Sequence, residues 1–136
     1  MISVRDPLWT DIRERARKMT TDRRQYSRYQ IKCGANIVCD VGHLPGTLTD
    51  ISVQGVRFEM PKAPTPGTGA TITLELDKPI VIRGVIQWAI EAGTSGLHYF
   101  LIGVEIESLQ MDGAVATGLG QRTHVVQEIL LMLKEE

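Results

Sequence analysis

Tyr29-Gln-Ile-Lys-Cys-Gly-Ala-Asn-Ile-Val-Cys39 alternates between apolar and mostly polar positions over its whole length. Tyr29, Ile31, Cys33, Ala35, Ile37 and Cys39 therefore fall on one side of an extended chain, which predicts a long strand with one buried face. The same period of two recurs downstream. Asp40 to Gly46 contains Gly42 and Pro45-Gly46 and reads as a connection, leading to a short strand over Thr47 to Ser52. Val56, Phe58 and Met60 alternate with Arg57 and Glu59. Pro61 to Gly69 holds three prolines and two glycines and cannot be regular strand. Ala70, Ile72, Leu74 and Leu76 give a fourth strand, the run from Ile80 to Ile90 a fifth, and Phe100 to Ile106 a sixth. A glycine-containing turn at Glu91 to Gly96 separates the last two. Trp88 falls on the apolar register of the fifth strand and is expected in the core. Successive antiparallel strands joined by short turns predict an all-β-dominated, closed or nearly closed barrel, which leaves no exposed sheet edge.

Helical patterns flank the strands. Asp6-Pro7 supplies an N-cap and a first-turn proline, and Leu8, Ile12 and Ala16 recur every four residues, predicting a short N-terminal helix of about 13 residues. Thr20 to Arg28 breaks that pattern and reads as a polar linker. Beyond Ser108 the alternation stops, and Gly113, Gly118 and Gly120 weaken any helix there. Val125, Ile129 and Met132 or Leu133 then predict a C-terminal helix from about Arg122 to Lys134. The expected organisation is a helical extension over residues 1–21, a barrel with an arginine-bearing arm over 22–110, and a helical tail over 111–136.

At 136 residues with 43% hydrophobic and 23% charged content, the chain fits one globular domain with enough apolar material for a core. It has no run of about 18 apolar residues for a membrane span and no apolar centre near Met1 for a secretory signal, so a cytoplasmic location is expected. Cys33 and Cys39 lie on one strand face about 20 Å apart, too far for a disulfide, and no metal-binding spacing joins them to His43, His98 or His124. The net charge of −1 hides an asymmetry. Residues 1–30 hold eight Lys/Arg against four Asp/Glu, and the rest of the chain seven against twelve. An extended nucleic acid would favour a basic stripe over the whole fold with aromatic platforms, whereas only 5% of residues are aromatic. A small anionic ligand fits better.

Two strings carry the chemistry. Arg23-Arg24-Gln25-Tyr26-Ser27-Arg28 reads R-R-x-x-x-R, and Asp50-Ile51-Ser52-Val53-Gln54-Gly55 reads D-x-S-x-x-G. Guanidinium forks match phosphate oxygens and the O6/N7 edge of guanine. A carboxylate accepts from the N1–H and N2–H2 donors of guanine's other edge, and a hydroxyl can donate or accept. Glycine allows close backbone approach. Singly, the first string is ordinary on a solvated helix face and the second is an ordinary turn. Their order, spacing and intervening strand pattern make the combination specific. No Ser/His/Asp or Cys/His arrangement has a defensible spacing, Glu105 and Glu107 share a solvated strand face, and no enzyme activity is expected.

The two motifs, the strand series and the terminal helix resemble the PilZ domain, a bacterial six-stranded antiparallel β-barrel that binds cyclic di-GMP. Gly84-Val85-Ile86-Gln87-Trp88 and Ile102-Gly103-Val104-Glu105-Ile106 are similar to the family's late strands, with Ile106 where an aromatic is usual. The similarity covers about residues 22–110 and the C-terminal helix. The resemblance implies that Arg24 and Arg28 grip phosphates and guanine and that Asp50, Ser52 and Gly55 form the barrel half of the site. An arginine at Arg23 implies an intercalated dimer of cyclic di-GMP, two nucleotides per chain. It further implies a receptor or adaptor with no cofactor that changes conformation on binding and signals to a protein partner. The alternative within the family is an interaction module that acts without nucleotide.

Overall fold

A computed structural model describes residues 26–93 and 98–134. The expected N-terminal helix, the polar linker up to Gln25 and the tip of the turn before the sixth strand lie outside them. Among the described residues seven strands run β1 (Tyr29–Cys39), β2 (Gly42–Ile51), β3 (Gly55–Met60), β4 (Gly69–Leu74), β5 (Ile80–Ala92), β6 (Tyr99–Met111) and β7 (Ala114–Ala116), followed by helix α1 (Leu119–Lys134). The sheet order is β3-β2-β1-β4-β5-β6-β7, and β3 also pairs with β6, so six antiparallel strands close into a ring. Inward residues are largely those the alternation predicts. Ile37, Leu48, Phe58, Ile72, Ile82 and Ile102 are fully buried, and Val125, Val126 and Ile129 bury one face of α1.

Several boundaries differ from expectation. The β1–β2 connection is a two-residue turn at Asp40-Val41, and β2 already begins at Gly42, which adopts φ 117°. Pro45 lies within β2 opposite Asn36, but pairing with β3 begins only at Thr47. Pro45 therefore sits where β2 has no β3 neighbour and its missing N–H breaks no ladder there. The proline-rich stretch after β3 carries the chain across to pair β4 with β1, and the Thr65 N–H donates to Asp40 Oδ1 at 3.1 Å, fastening it to the first hairpin turn. β6 continues to Met111 and turns back through Asp112-Gly113, both with positive φ (53° and 80°), into β7. That pair is a two-residue hairpin turn of the Asp-Gly kind, a signal the sequence carries in plain view.

Register shifts in three strand pairs re-aim side chains. In the β2–β3 pair, Leu48 faces Phe58 and Ile51 faces Val56, all inward, whereas an extra residue at Thr49 sets Asp50 opposite Arg57, outside the apolar core. In the β1–β2 pair the shift falls between Gln30 and Cys33, so the clean burial of β1 starts at Cys33 and Tyr29 is exposed. In the β5–β6 pair, Ile86 lies opposite Val104 but Trp88 lies opposite Gly103. The extra residue there, Gln87, corrects the expectation for Trp88. A bulge reverses the alternation, so Trp88 leaves the core and Ala89 packs against it instead.

Candidate functional site

The loop from β2 to β3 is built around Ser52. Its backbone N–H donates to Gly55 O at 2.9 Å, and its Oγ accepts from the N–H groups of Gln54 and Gly55 at 3.2 and 3.1 Å while donating to Gly55 O at 3.3 Å. One hydroxyl thus substitutes for a backbone turn. The side chain is 2% exposed. The Ile106 N–H donates to Gln54 O at 2.7 Å and ties the loop to β6. At Gly55 an added Cβ would lie 2.8 Å from the Val104 carbonyl oxygen, so β3 can start this close to β6 only without a side chain.

Asp50, at the end of β2, stands beside this loop. Its Oδ1 accepts from Arg28 Nη1 at 3.0 Å and its Oδ2 from Arg57 Nη2 at 2.6 Å. The Asp50 side chain is 8% exposed, against 21% for Arg57 and 52% for Arg28. One nearly buried carboxylate therefore holds two guanidiniums at the surface, and the more exposed of the two is the one next in sequence to the arginine-bearing arm. A groove of about 430 Å³ opens beside them, between the Ser52–Gly55 loop, β5, β6 and the start of α1. Trp88 forms part of its wall, with the indole lying directly over Gly103, where any Cβ would collide with the ring. Gln54 and Gln87 add neutral polar groups, and Glu105 an exposed carboxylate.

Four of the six expected ligand residues are thus gathered in one place: Arg28 and Asp50 in direct contact, Ser52 and Gly55 in the adjoining loop. Arg23 and Arg24 lie outside the described residues. A model of the PilZ domain matches residues 22–117. The chain belongs to the PilZ family. The PilZ chain also shares its fold with the solved Bacillus subtilis inhibitor of motility (MotI/DgrA), at a TM-score of 0.56 and 15% identity, over 84% of this chain and 53% of that one. It therefore spans about half the length of that structural relative. No curated protein sequence matches it.

Within this PilZ ring, sequence reasoning missed three groove residues. Arg57 was legible as an outward position between inward Val56 and Phe58, and only the bulge at Thr49 turns it toward Asp50. Trp88 had no such signal, because its outward aim depends on the bulge at Gln87. Arg122 reaches the groove from α1, a long-range docking that no local pattern encodes. Among the described residues no helix is long and apolar enough to cross a membrane.

Proposed function

We propose that this PilZ protein is a receptor for cyclic di-GMP that passes its occupancy to a protein partner by a change of shape. The supporting observation is the Arg28–Asp50–Arg57 cluster at the mouth of a groove walled by an indole. The carboxylate suits the N1–H and N2–H2 donors of guanine, the guanidiniums suit its O6/N7 edge or a phosphate, and the flat ring offers a stacking surface. Ser52 and Gly55 act in this reading by shaping the loop floor, and Arg23 and Arg24 join Arg28 as phosphate ligands. The arginine at Arg23 favours an intercalated pair of nucleotides. A dianionic ligand offsets the mutual repulsion of the clustered arginines and draws the arm against the barrel, altering the surface shown to a partner. The reading assigns no catalytic step and a cytoplasmic location.

Isothermal titration with cyclic di-GMP tests this. Each bidentate arginine contact to guanine is worth about 1–3 kcal/mol by analogy with base readout, so Arg28→Ala should weaken binding on the order of tenfold to a hundredfold. Absence of binding by the wild-type protein, or unchanged affinity in both Arg28→Ala and Asp50→Ala, would overturn the proposal. A stoichiometry near one would remove the paired ligand alone. The second reading, a PilZ module acting by protein contact without nucleotide, draws on the structural relative described as an inhibitor of motility. Partner capture that is indifferent to cyclic di-GMP would favour it.

A further inference from the structure

Among the described residues three guanidiniums border the groove, and they differ in what compensates their charge. Arg28 and Arg57 share Asp50. Arg122, in the first turn of α1, donates from Nη1 to Val53 O at 3.3 Å and from Nη2 to Glu107 O at 2.7 Å. Both partners are neutral carbonyls, and among the described residues no carboxylate pairs with it. Its Nε is buried and has no hydrogen-bond partner among the described residues. A guanidinium has five N–H protons, so two on the Nη atoms remain beyond the two carbonyl bonds and the buried Nε–H. Carbonyls can fix such a group in position, but an ionised acceptor makes a bond roughly twice as strong. Glu105, exposed on the same wall, would repel an anion there unless a cation stood nearby.

We propose that Arg122 is a further ligand-binding residue, which supplies a phosphate-directed guanidinium to the groove from the C-terminal helix. This rests on the reading of the groove as a cyclic di-GMP site. It adds that the helix is itself a wall of that site. Arg122 holds Val53 O in the middle of the Ser52–Gly55 loop and belongs to the backbone of α1, so a ligand bound to it touches loop and helix through one side chain. Occupancy then firms the first two turns of α1.

Titration of Arg122→Ala and Arg122→Lys with cyclic di-GMP, alongside wild type and Arg28→Ala, tests the assignment. Arg122→Ala should bind about tenfold more weakly, the loss of one good charged contact, and Arg122→Lys should fall between it and wild type. Amide hydrogen exchange over residues 119–126 of the wild-type protein should slow at saturating cyclic di-GMP. Unchanged affinity in Arg122→Ala with a lowered melting temperature would reduce Arg122 to an anchor and overturn the proposal while the receptor reading stood, provided Arg28→Ala still weakened binding. If neither Arg122 variant folds, wild-type exchange decides, and unslowed exchange overturns the proposal. If the wild type fails to bind cyclic di-GMP, the receptor reading and this assignment both fall.

Discussion

Ser52→Ala separates two roles that the D-x-S-x-x-G motif leaves entangled. The substitution removes a single hydroxyl from a side chain that is 2% exposed. Two N–H groups lose their acceptor: that of Gln54, which is exposed and can turn to water, and that of Gly55, which is buried. The Gly55 carbonyl keeps its bond from the Ser52 N–H. One buried donor left without a partner costs about 1–3 kcal/mol. Unfolding entropy of roughly 2.1 cal/mol/K per residue amounts to about 0.29 kcal/mol/K for 136 residues, so the melting temperature should fall by about 3–10 °C. Thermal melts of wild type and Ser52→Ala without nucleotide read this directly, and titration of the same variant reads the accompanying loss of affinity. A ligand-free melting temperature within about 1 °C of wild type, with affinity reduced, would refute the reasoning. Ser52 would then contact the ligand and leave the loop to form without it.

Asp50→Ala removes the carboxylate that Arg28 and Arg57 share. Because Arg28 is half exposed, the expected loss lies well below that of a fully buried pair, about 1–2 kcal/mol, and a urea midpoint indistinguishable from wild type would contradict it. Gly103→Val places a side chain in the space of the Trp88 indole, so the ring must leave the strand face. Overpacking of this kind costs about 1–3 kcal/mol, and urea unfolding should show it together with weakened cyclic di-GMP binding; wild-type values for both would refute the contact. The Thr65 side chain, then its backbone N–H, hold the Asp40 carboxyl below its ordinary 3.8, favouring the charged form in the folded state. The associated stability is present above the unfolded value and lost as pH falls through the lower folded one. In Thr65→Ala the Asp40 midpoint followed by NMR should move back toward 3.8, and an unmoved midpoint would rule out the side-chain contribution.

The strands were legible because a barrel wall buries every second side chain, and Cys33, Ala35 and Ile37 show that alternation as simply in the structure as in the sequence. The turn through Ser52 and Gly55 was legible because a loop of this kind is specified locally, by a serine that bonds its own neighbours and a glycine that a facing carbonyl requires. What escaped depends on pairing between distant segments. Bulges at Thr49 and Gln87 exist only relative to a partner strand, and they decide that Arg57 meets Asp50 and that Trp88 faces outward. Arg122 joins the groove because α1 docks against β6 and β7, 69 residues along the chain from the Val53 carbonyl it holds. The Asp112-Gly113 hairpin is a different case, since its turn signal is local.

The bulge that expels Trp88 also sorts the chromophores among the described residues. Among the described residues the interior is aliphatic apart from one fully buried ring, Phe58, which emits weakly and absorbs little. The described indole instead stands at the groove. Its emission will therefore follow events at the barrel's rim more directly than rearrangements inside. A nucleotide stacked against the ring would quench that emission directly, whereas loosening of the aliphatic core reaches it only through the barrel wall.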